Sequence, residues 1–232
     1  MDMKKLLFIL MMALLSLSIF TACGNSAEQT ATDEQTDTEV TEQEEESGSA
    51  ADGKTLVVYF TRIGNTGEGF PEGVDATTSA SLQQTDEGLK GNAQMIAEWV
   101  ADETHGDIFA IESEDLYPAD YDATVEKAST DQSDKARPAL KTHVDNINQY
   151  KTVVMSFPNW WGDLPMPVYS FFDEYDLSGK EVIVYVTHEG SGYSDTVSTI
   201  AELEPGADVR EGLSIRGGDV SNSETEVRDS IK

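Results

Sequence analysis

Short apolar runs rich in β-branched residues recur along the chain, and segments with helical spacing separate them. The runs cover residues 55–60, 107–111, 151–157, 181–187 and, more weakly, 207–215. Because apolar positions follow one another without polar alternation, the runs predict strands buried on both faces, as in a parallel sheet.

Three segments between these runs carry apolar residues at helical spacing. Residues 92–104 form the clearest case, and shorter stripes follow Pro167 and span residues 195–203. Alternating strands and helices predict an α/β domain, a three-layer sandwich around a five-stranded parallel sheet in the order 2-1-3-4-5. In that order, ligands bind where the first and third strands end.

The stretch after the first strand departs from a plain strand–helix alternation. Glycine and proline between residues 67 and 73 prevent a helix from starting directly after Thr66. The first helix is therefore expected only at Asn92. Residues 67–90 become an excursion beside the first loop, for which a lid and simple padding are both open interpretations.

The N-terminal residues have the pattern of an export signal. Lys4 and Lys5 precede an apolar run over residues 6–20, too short for a typical spanning helix. Residues 20–23 resemble the lipobox of bacterial lipoproteins, which ends in a lipidated cysteine. The prediction is a signal peptide over residues 1–22 and lipidation at Cys23, with an ordinary signal and an incidental cysteine as the alternative.

An acidic segment follows the predicted lipidation site. Residues 24–53 contain ten acidic residues and no basic ones, with few apolar residues to bury. Such a composition predicts that residues 23–53 form an extended, disordered tether. Residues 54–232 then form a single domain held at the extracytoplasmic face of the cell membrane.

Charge and cysteine content exclude several classes of function. The chain has 44 acidic and 15 basic residues and a net charge of −29 at pH 7, which excludes binding to nucleic acid through clustered Lys and Arg. The single cysteine leaves no disulfide or thiolate chemistry in the domain. The three histidines show no metal-ligand spacing, so no metal site is predicted.

The loop after the first predicted strand is suited to a phosphate group. Its hydroxyl, amide and exposed backbone N–H groups can surround a phosphate dianion, although a purely structural turn is an alternative interpretation. Asn92, at the start of the delayed helix, is a second candidate. The loop residues are Thr61, Arg62, Ile63, Gly64, Asn65 and Thr66.

The loop after the third predicted strand places two tryptophans where the chain must turn and meet water. Large aromatics at such an edge can form a platform for a flat ring, one covering the ring and the other bracing it. A phosphate site and a ring platform at neighbouring strand ends predict flavin mononucleotide (FMN) as cofactor. The platform residues are Pro158, Asn159, Trp160, Trp161 and Gly162.

The loop after the fourth predicted strand can hydrogen-bond the pyrimidine edge of a flavin, because two glycines free its backbone. His188 is a conceivable proton donor, but bonding to neighbouring backbone is the favoured interpretation. No catalytic residue is assigned, and neither a Gly-x-Ser-x-Gly nor a Gly-x-Gly-x-x-Gly motif is present. The loop residues are Thr187, His188, Glu189, Gly190, Ser191 and Gly192.

Five segments together resemble the flavodoxin-like proteins of bacteria: residues 55–66, 92–111, 117–121, 158–165 and 187–192. The resemblance implies a flavodoxin-like fold, noncovalent FMN and redox chemistry at the three loops. Residues 117–121 carry the resemblance but have no predicted role beyond packing.

The leading hypothesis is a lipid-anchored FMN protein that transfers electrons to a redox partner protein or a small acceptor. As an enzyme it would be an FMN-dependent oxidoreductase similar to NAD(P)H:quinone reductases. The alternative class is a non-catalytic lipoprotein that uses the fold to bind a small molecule or a partner.

Overall fold

A computed structural model of the protein describes residues 53–67 and 81–232. All of these belong to the second of the two units into which the chain divides, Gly48–Lys232. The predicted signal peptide, Cys23 and the tether up to residue 52 lie outside the described residues. Within those residues, no helix combines the length and apolar character that crossing a membrane requires.

The described residues form seven strands, five α-helices and two short 3-10 helices. In chain order they are β1 (Lys54–Tyr59), β2 (Leu82–Thr85), β3 (Gly88–Gly91), α1 (Asn92–Thr104), β4 (Asp107–Ala110), α2 (Tyr121–Ser133), a 3-10 helix (Ile147–Gln149), β5 (Tyr150–Pro158), α3 (Met166–Glu174), β6 (Glu181–His188), α4 (Thr196–Leu203), β7 (Asp208–Arg216), a 3-10 helix (Gly217–Asn222) and α5 (Glu224–Ser230).

Five of the strands form one parallel sheet in the spatial order β4-β1-β5-β6-β7. Counted without the β2–β3 hairpin, this is the predicted order 2-1-3-4-5, and the predicted flavodoxin-like α/β fold is confirmed. The order reverses between β1 and β5, so their carboxyl ends flank the switch point at which such sheets bind ligands.

Both faces of the sheet are buried, which explains the uninterrupted apolar runs. Side chains alternate along each strand, so Leu56 and Val58 of β1 face one hydrophobic core while Val57 faces the other. Helices α2, α3 and α4 contribute to the first core, and α1 and α5 contribute to the second. The sheet is therefore the middle layer of three.

The excursion after Thr66 contains a β-hairpin that the sequence did not predict. Its strands β2 and β3 pair antiparallel, with Leu82 opposite Gly91 and Thr85 opposite Gly88. Two four-residue strands containing glutamine and glycine give no strong pattern. The delayed helix α1 begins at Asn92, as predicted.

Helix α2 was also missed by the sequence reasoning. Only Thr124 and Ala128 of its 13 residues are buried, so it lacks the apolar stripe that identifies a packed helix. The Asp120 side chain caps its start by accepting a hydrogen bond from the backbone N–H of Ala123 at 2.9 Å. This helix forms one wall of the site described next.

Candidate functional site

Three loops meet at the carboxyl edge of the sheet because β1, β5 and β6 lie side by side in parallel. They contain most of the residues predicted from the sequence: residues 61–66 follow β1, residues 159–162 follow β5 and residues 189–192 follow β6, whereas Pro158 ends β5 and Thr187 and His188 end β6. The fold therefore brings the predicted phosphate loop and the predicted ring platform to the two sides of the switch point.

The loop after β1 turns tightly between Arg62 and Asn65. The N–H of Asn65 donates to the carbonyl of Arg62 at 3.1 Å, and Gly64 has a φ of +84°, as the third residue of a type II turn requires. Within the described part of the chain, the N–H groups of Ile63 and Gly64 donate to no protein acceptor. They are available to an anion.

Asn65 shapes this loop from inside the protein. Its Nδ2 donates to the carbonyls of Thr61 (2.9 Å) and Ile111 (2.7 Å), and its Oδ1 accepts from the N–H of Ser113 (2.7 Å). The side chain is 1 % exposed and fully bonded. The amide predicted as a phosphate contact therefore ties the loop to the chain after β4 instead.

The start of α1 packs directly against Thr61. A methyl group at Gly91 would lie 2.6 Å from Cβ of Thr61 and would overlap its hydroxyl, so only glycine permits this approach. The buried Oγ1 of Thr61 has no hydrogen-bond partner among the described residues. No side chain caps α1, although the carbonyl of Ser81 accepts from the N–H of Asn92 at 3.0 Å.

These donors fit the phosphate of FMN. The unsatisfied buried hydroxyl of Thr61 meets the start of a 13-residue helix at Gly91, and the adjoining turn carries two N–H groups that bond no described acceptor. Asn92 itself is fully buried, and its side chain faces the carbonyl of Leu82 at 3.4 Å. Asn92 therefore contributes to the site as the first residue of helix α1.

Arg62, predicted as part of the phosphate loop, is buried and bonds protein groups. Its side chain is 2 % exposed, and Nη2 donates to the carbonyl of Ala119 at 2.9 Å and to Oγ1 of Thr124 at 3.0 Å. Burial lowers the pKa of the guanidinium from its ordinary value. Arg62 therefore joins the first loop to the start of α2.

The two tryptophans have different environments. Trp160 meets the rings of Phe60 and Tyr117 edge-to-face, each with centroids 5.4 Å away, and its Nε1 donates to Oγ of Ser81 at 3.1 Å. Trp161 is 53 % exposed and has a φ of +54°. Trp160 is thus the brace, and Trp161 presents the open ring.

The turn that carries Trp161 is held in place by Asn159 and by its own backbone. Asn159 Oδ1 accepts from the N–H of Gly162 at 2.8 Å, and Asn159 Nδ2 donates to the carbonyl of Gly192 at 2.9 Å. Trp160 and Asp163 exchange backbone hydrogen bonds at 3.0 and 3.1 Å. A bulky residue with positive φ is therefore held by surrounding bonds.

The side chain of Asp163 bonds helix α3. Its Oδ1 accepts from the hydroxyl of Tyr169 at 2.7 Å. Burial of Tyr169, with this carboxylate, raises the pKa of the phenol. Asp163 therefore connects the turn to helix α3.

The loop after β6 is shaped by one histidine and two glycines. The ring of His188 caps its own loop by accepting at Nδ1 from the N–H of Gly190 at 2.8 Å. Gly190 and Gly192 have φ values of +124° and +62°, which favour glycine. Thr187 is fully buried at the end of β6, and Pro158 is buried at the end of β5.

A cavity of about 440 Å³ opens between these loops and α2. Six of its lining residues were predicted from the sequence: Arg62, Asn159, Trp160, Trp161, Glu189 and Ser191. Six others were missed: Ser81, Tyr121, Asp122, Thr124, Val125 and Ala128. Near these six unpredicted residues, the only sequence signal was the motif at residues 117–121, for which no role beyond packing was predicted.

The remaining predicted residues lie outside the cavity lining. Of these, Thr61, Ile63, Gly64 and Asn92 belong to the phosphate region. The hydroxyl of Thr66, predicted as a phosphate contact, instead donates to the carbonyl of Arg62 at 2.8 Å. Among residues 53–67 and 81–232, no three histidine, cysteine or acidic side chains come together as a metal ion requires.

Comparison with known proteins agrees with this architecture. The profile of the family described as Flavodoxin matches residues 87–231, so the match begins after β1 and its loop. No curated protein matches the chain.

Two crystal structures of candidate flavoproteins share the fold. The protein from Bacteroides uniformis is 24% identical, with a TM-score of 0.56, and the alignment covers 76% of this chain and 99% of that one. The protein from Bacteroides eggerthii is 22% identical, with a TM-score of 0.54 and coverage of 76% and 98%. The chain therefore belongs to the flavodoxin family, and its cofactor is the FMN of that family, as the sequence predicted.

Proposed function

We propose that this chain holds FMN at the carboxyl edge of β1, β5 and β6 and serves in electron transfer or flavin-dependent reduction. The exposed ring of Trp161, in a cavity of about 440 Å³ at the switch point, is the observation that carries this proposal. Cavities of this size hold small-molecule ligands and cofactors.

The chain's own residues bind and orient the cofactor. The N–H groups of Ile63 and Gly64, the hydroxyl of Thr61 and the start of α1 would hold the phosphate. Trp161 would stack on the ring. The backbone of Gly190 and Gly192 would face its polar edge.

Other residues exclude water and fix geometry beneath the ring. Trp160 packs on Phe60 and Tyr117 and keeps solvent out of the core under the loop after β5. Asn159 joins that loop to the loop after β6, so both sides of the ring site keep their spacing. When bound, FMN supplies redox chemistry that the side chains cannot provide.

The proposed location is the extracytoplasmic face of the cell membrane, with a lipid anchor on Cys23. Lys4, Lys5, the apolar run over residues 6–20 and the position of Cys23 support it. Metabolic labelling with a radioactive fatty acid tests the anchor. Label is expected on the wild-type protein and absent from Cys23→Ala, and equal labelling would contradict the anchor.

The test of the cofactor site is a titration of the purified full-length chain with FMN and, separately, with riboflavin. Flavin absorption and fluorescence quenching report binding. Because riboflavin lacks the phosphate, we expect it to bind about tenfold to a hundredfold more weakly. A protein that binds neither flavin would reject the proposal and favour a non-catalytic lipoprotein that binds another ligand.

A second measurement separates a carrier from a reductase. The FMN-loaded protein is titrated with dithionite while the flavin spectrum is recorded. Reduction in two separate one-electron steps favours a carrier that exchanges electrons with a partner protein. Rapid bleaching of the flavin by NADH or NADPH favours a reductase of the quinone reductase type. Failure of both measurements would contradict both versions.

A further inference from the structure

A positive charge lies in the wall of the flavin cavity. Among the described residues that line the cavity, Arg62 is the only lysine or arginine, and its side chain is 2 % exposed. A guanidinium keeps its proton at every pH that a folded protein tolerates, so the charge is permanent. Arg62 belongs by sequence to the phosphate loop, but it lines the same cavity as Trp161.

The position of this charge is fixed by the protein itself. Nη2 of Arg62 donates to the carbonyl of Ala119 at 2.9 Å and to Oγ1 of Thr124 at 3.0 Å. Thr124 is held in turn, because its hydroxyl donates to the carbonyl of Pro118 at 2.6 Å. A charge that is fixed before a ligand arrives acts on that ligand without any cost of reorganisation.

The carboxylates around the cavity face water instead. Asp122 and Glu189 line it, and Asp120, which caps α2, acts electrostatically on Arg62. All three acidic residues are exposed. Dissolved ions screen exposed charges, whereas a buried charge is screened much less. We therefore expect Arg62 to dominate the electrostatic potential inside the cavity, although the whole chain carries a net charge of −29.

We propose that Arg62 raises the midpoint potential of the bound flavin by stabilising the reduced ring. The oxidised ring is uncharged. When it takes up two electrons from a reductant and one proton from water it becomes an anion, which a fixed cation in the same cavity favours over the uncharged form. The proposal rests on the proposed flavin function and adds the group that sets how readily the site accepts electrons.

The test compares the midpoint potentials of the FMN-loaded full-length chain and its variants, measured against an indicator dye during reduction by dithionite. Arg62→Met removes the charge. We expect it to weaken the binding of reduced FMN about tenfold more than that of oxidised FMN, which lowers the potential of the two-electron couple by about 30 mV. A purely structural loss would weaken both forms alike, so an unchanged potential would overturn the proposal.

Arg210→Met is the matched control for a change in net charge. Arg210 forms an exposed pair with Glu181, with Nε 2.6 Å from Oε1, near the amino end of β7. In a parallel sheet the amino ends lie at the edge opposite the flavin loops. Removal of this screened charge should leave the midpoint potential unchanged. Equal shifts in Arg210→Met and Arg62→Met would contradict a local effect of Arg62.

Arg62→Lys separates charge from structure and decides the question even if Arg62→Met does not fold. A buried ammonium loses its proton far more readily than a guanidinium. The potential of this variant should match the wild type near pH 6 and fall below it, by up to about 30 mV, as the pH rises to about 9. Asp120, Tyr121, Asp122 and Glu189 are present in both proteins, so their titration cancels in the difference. A difference that does not change with pH would overturn the proposal.

FMN titrations of the same preparations distinguish the two proposals. Normal binding of FMN together with unshifted potentials would overturn the role of Arg62 and leave the flavin site standing. A wild-type chain that binds no FMN would reject the flavin function and, with it, the role of Arg62.

Discussion

Nε1 of Trp160 donates a hydrogen bond to Oγ of Ser81, 3.1 Å away and 79 positions earlier in the chain. The carbonyl of the same serine accepts from the N–H of Asn92 at the start of α1. Ser81 thus joins the ring platform after β5 to the helix that follows the excursion.

The two tryptophans are expected to respond differently to truncation. Trp161→Ala should lower FMN affinity by about one to two decades, since stacking on an aromatic side chain contributes about 1–3 kcal/mol. The free energy of unfolding of this variant should change little because the Trp161 ring is half exposed. Flavin titration and urea unfolding measure the two effects.

Trp160→Ala is the matched comparison. It removes packing against Phe60 and Tyr117 and the hydrogen bond to Ser81, so the free energy of unfolding should fall by about 2–4 kcal/mol. If the two variants lost stability equally, the assignment of brace and platform would be wrong.

Gly91→Ala should disturb the phosphate region. The new methyl group would overlap Thr61, and overpacking of this kind costs about 1–3 kcal/mol. We expect lower stability and weaker binding of FMN, with a smaller effect on riboflavin, which lacks the phosphate. Gly67→Ala is the control, because among the described residues its methyl group would meet Leu116 alone, 3.4 Å from the flexible Cδ1 and 3.8 Å from Cβ. Equal losses for FMN and riboflavin would argue against a phosphate site here.

Arg62→Met should destabilise the protein by about 2–4 kcal/mol, because the carbonyl of Ala119 and the hydroxyl of Thr124 lose a buried donor. Urea unfolding monitored by circular dichroism measures the change. Arg210→Met is the exposed comparison, since its 2.6 Å pair with Glu181 lies on the surface and should contribute about 1 kcal/mol or less. Similar losses for both arginines would show that Arg62 does not hold the start of α2.

Glu204 should make stability depend on pH. Burial raises the pKa of its carboxyl above the ordinary value of 4.5, and Asp176 acts in the same direction against the hydrogen bond from the N–H of Leu177. The folded state therefore binds this proton more tightly than the unfolded state. The stabilising contribution is complete below about pH 4.5 and is lost as the pH rises through the folded pKa.

Glu204→Gln keeps an oxygen for Leu177 and removes the titration. The wild type should lose stability as the pH increases from 4 to 7, whereas the variant should not lose this contribution. The free energy of unfolding of the variant minus that of the wild type should therefore increase over this range. Thermal unfolding across that range measures it, with Glu202→Gln on the exposed side of the same segment as the reference for lost surface charge. A difference that falls with rising pH would contradict the expected direction.

Much of the fold follows from local sequence pattern. The sheet strands were predictable because both faces of the sheet are buried, so the central positions of β1, β5 and β6 form uninterrupted apolar runs. The start of α1 was predictable because glycine and proline exclude a helix directly after Thr66. Helix α2 and the β2–β3 hairpin were not, because neither has a continuous apolar face that a sequence pattern can reveal.

The sequence by itself determined that a phosphate-suited loop and a tryptophan pair follow neighbouring strands. Only the tertiary structure decided which tryptophan is open, because that depends on Ser81, Phe60 and Tyr117, which lie far from Trp160 in the chain. It also decided that Asn65 and Arg62 bond protein groups and that Tyr121 enters the cavity wall. The physical reason is that a side chain's type sets what it can bind, whereas distant neighbours determine which of its groups remain free.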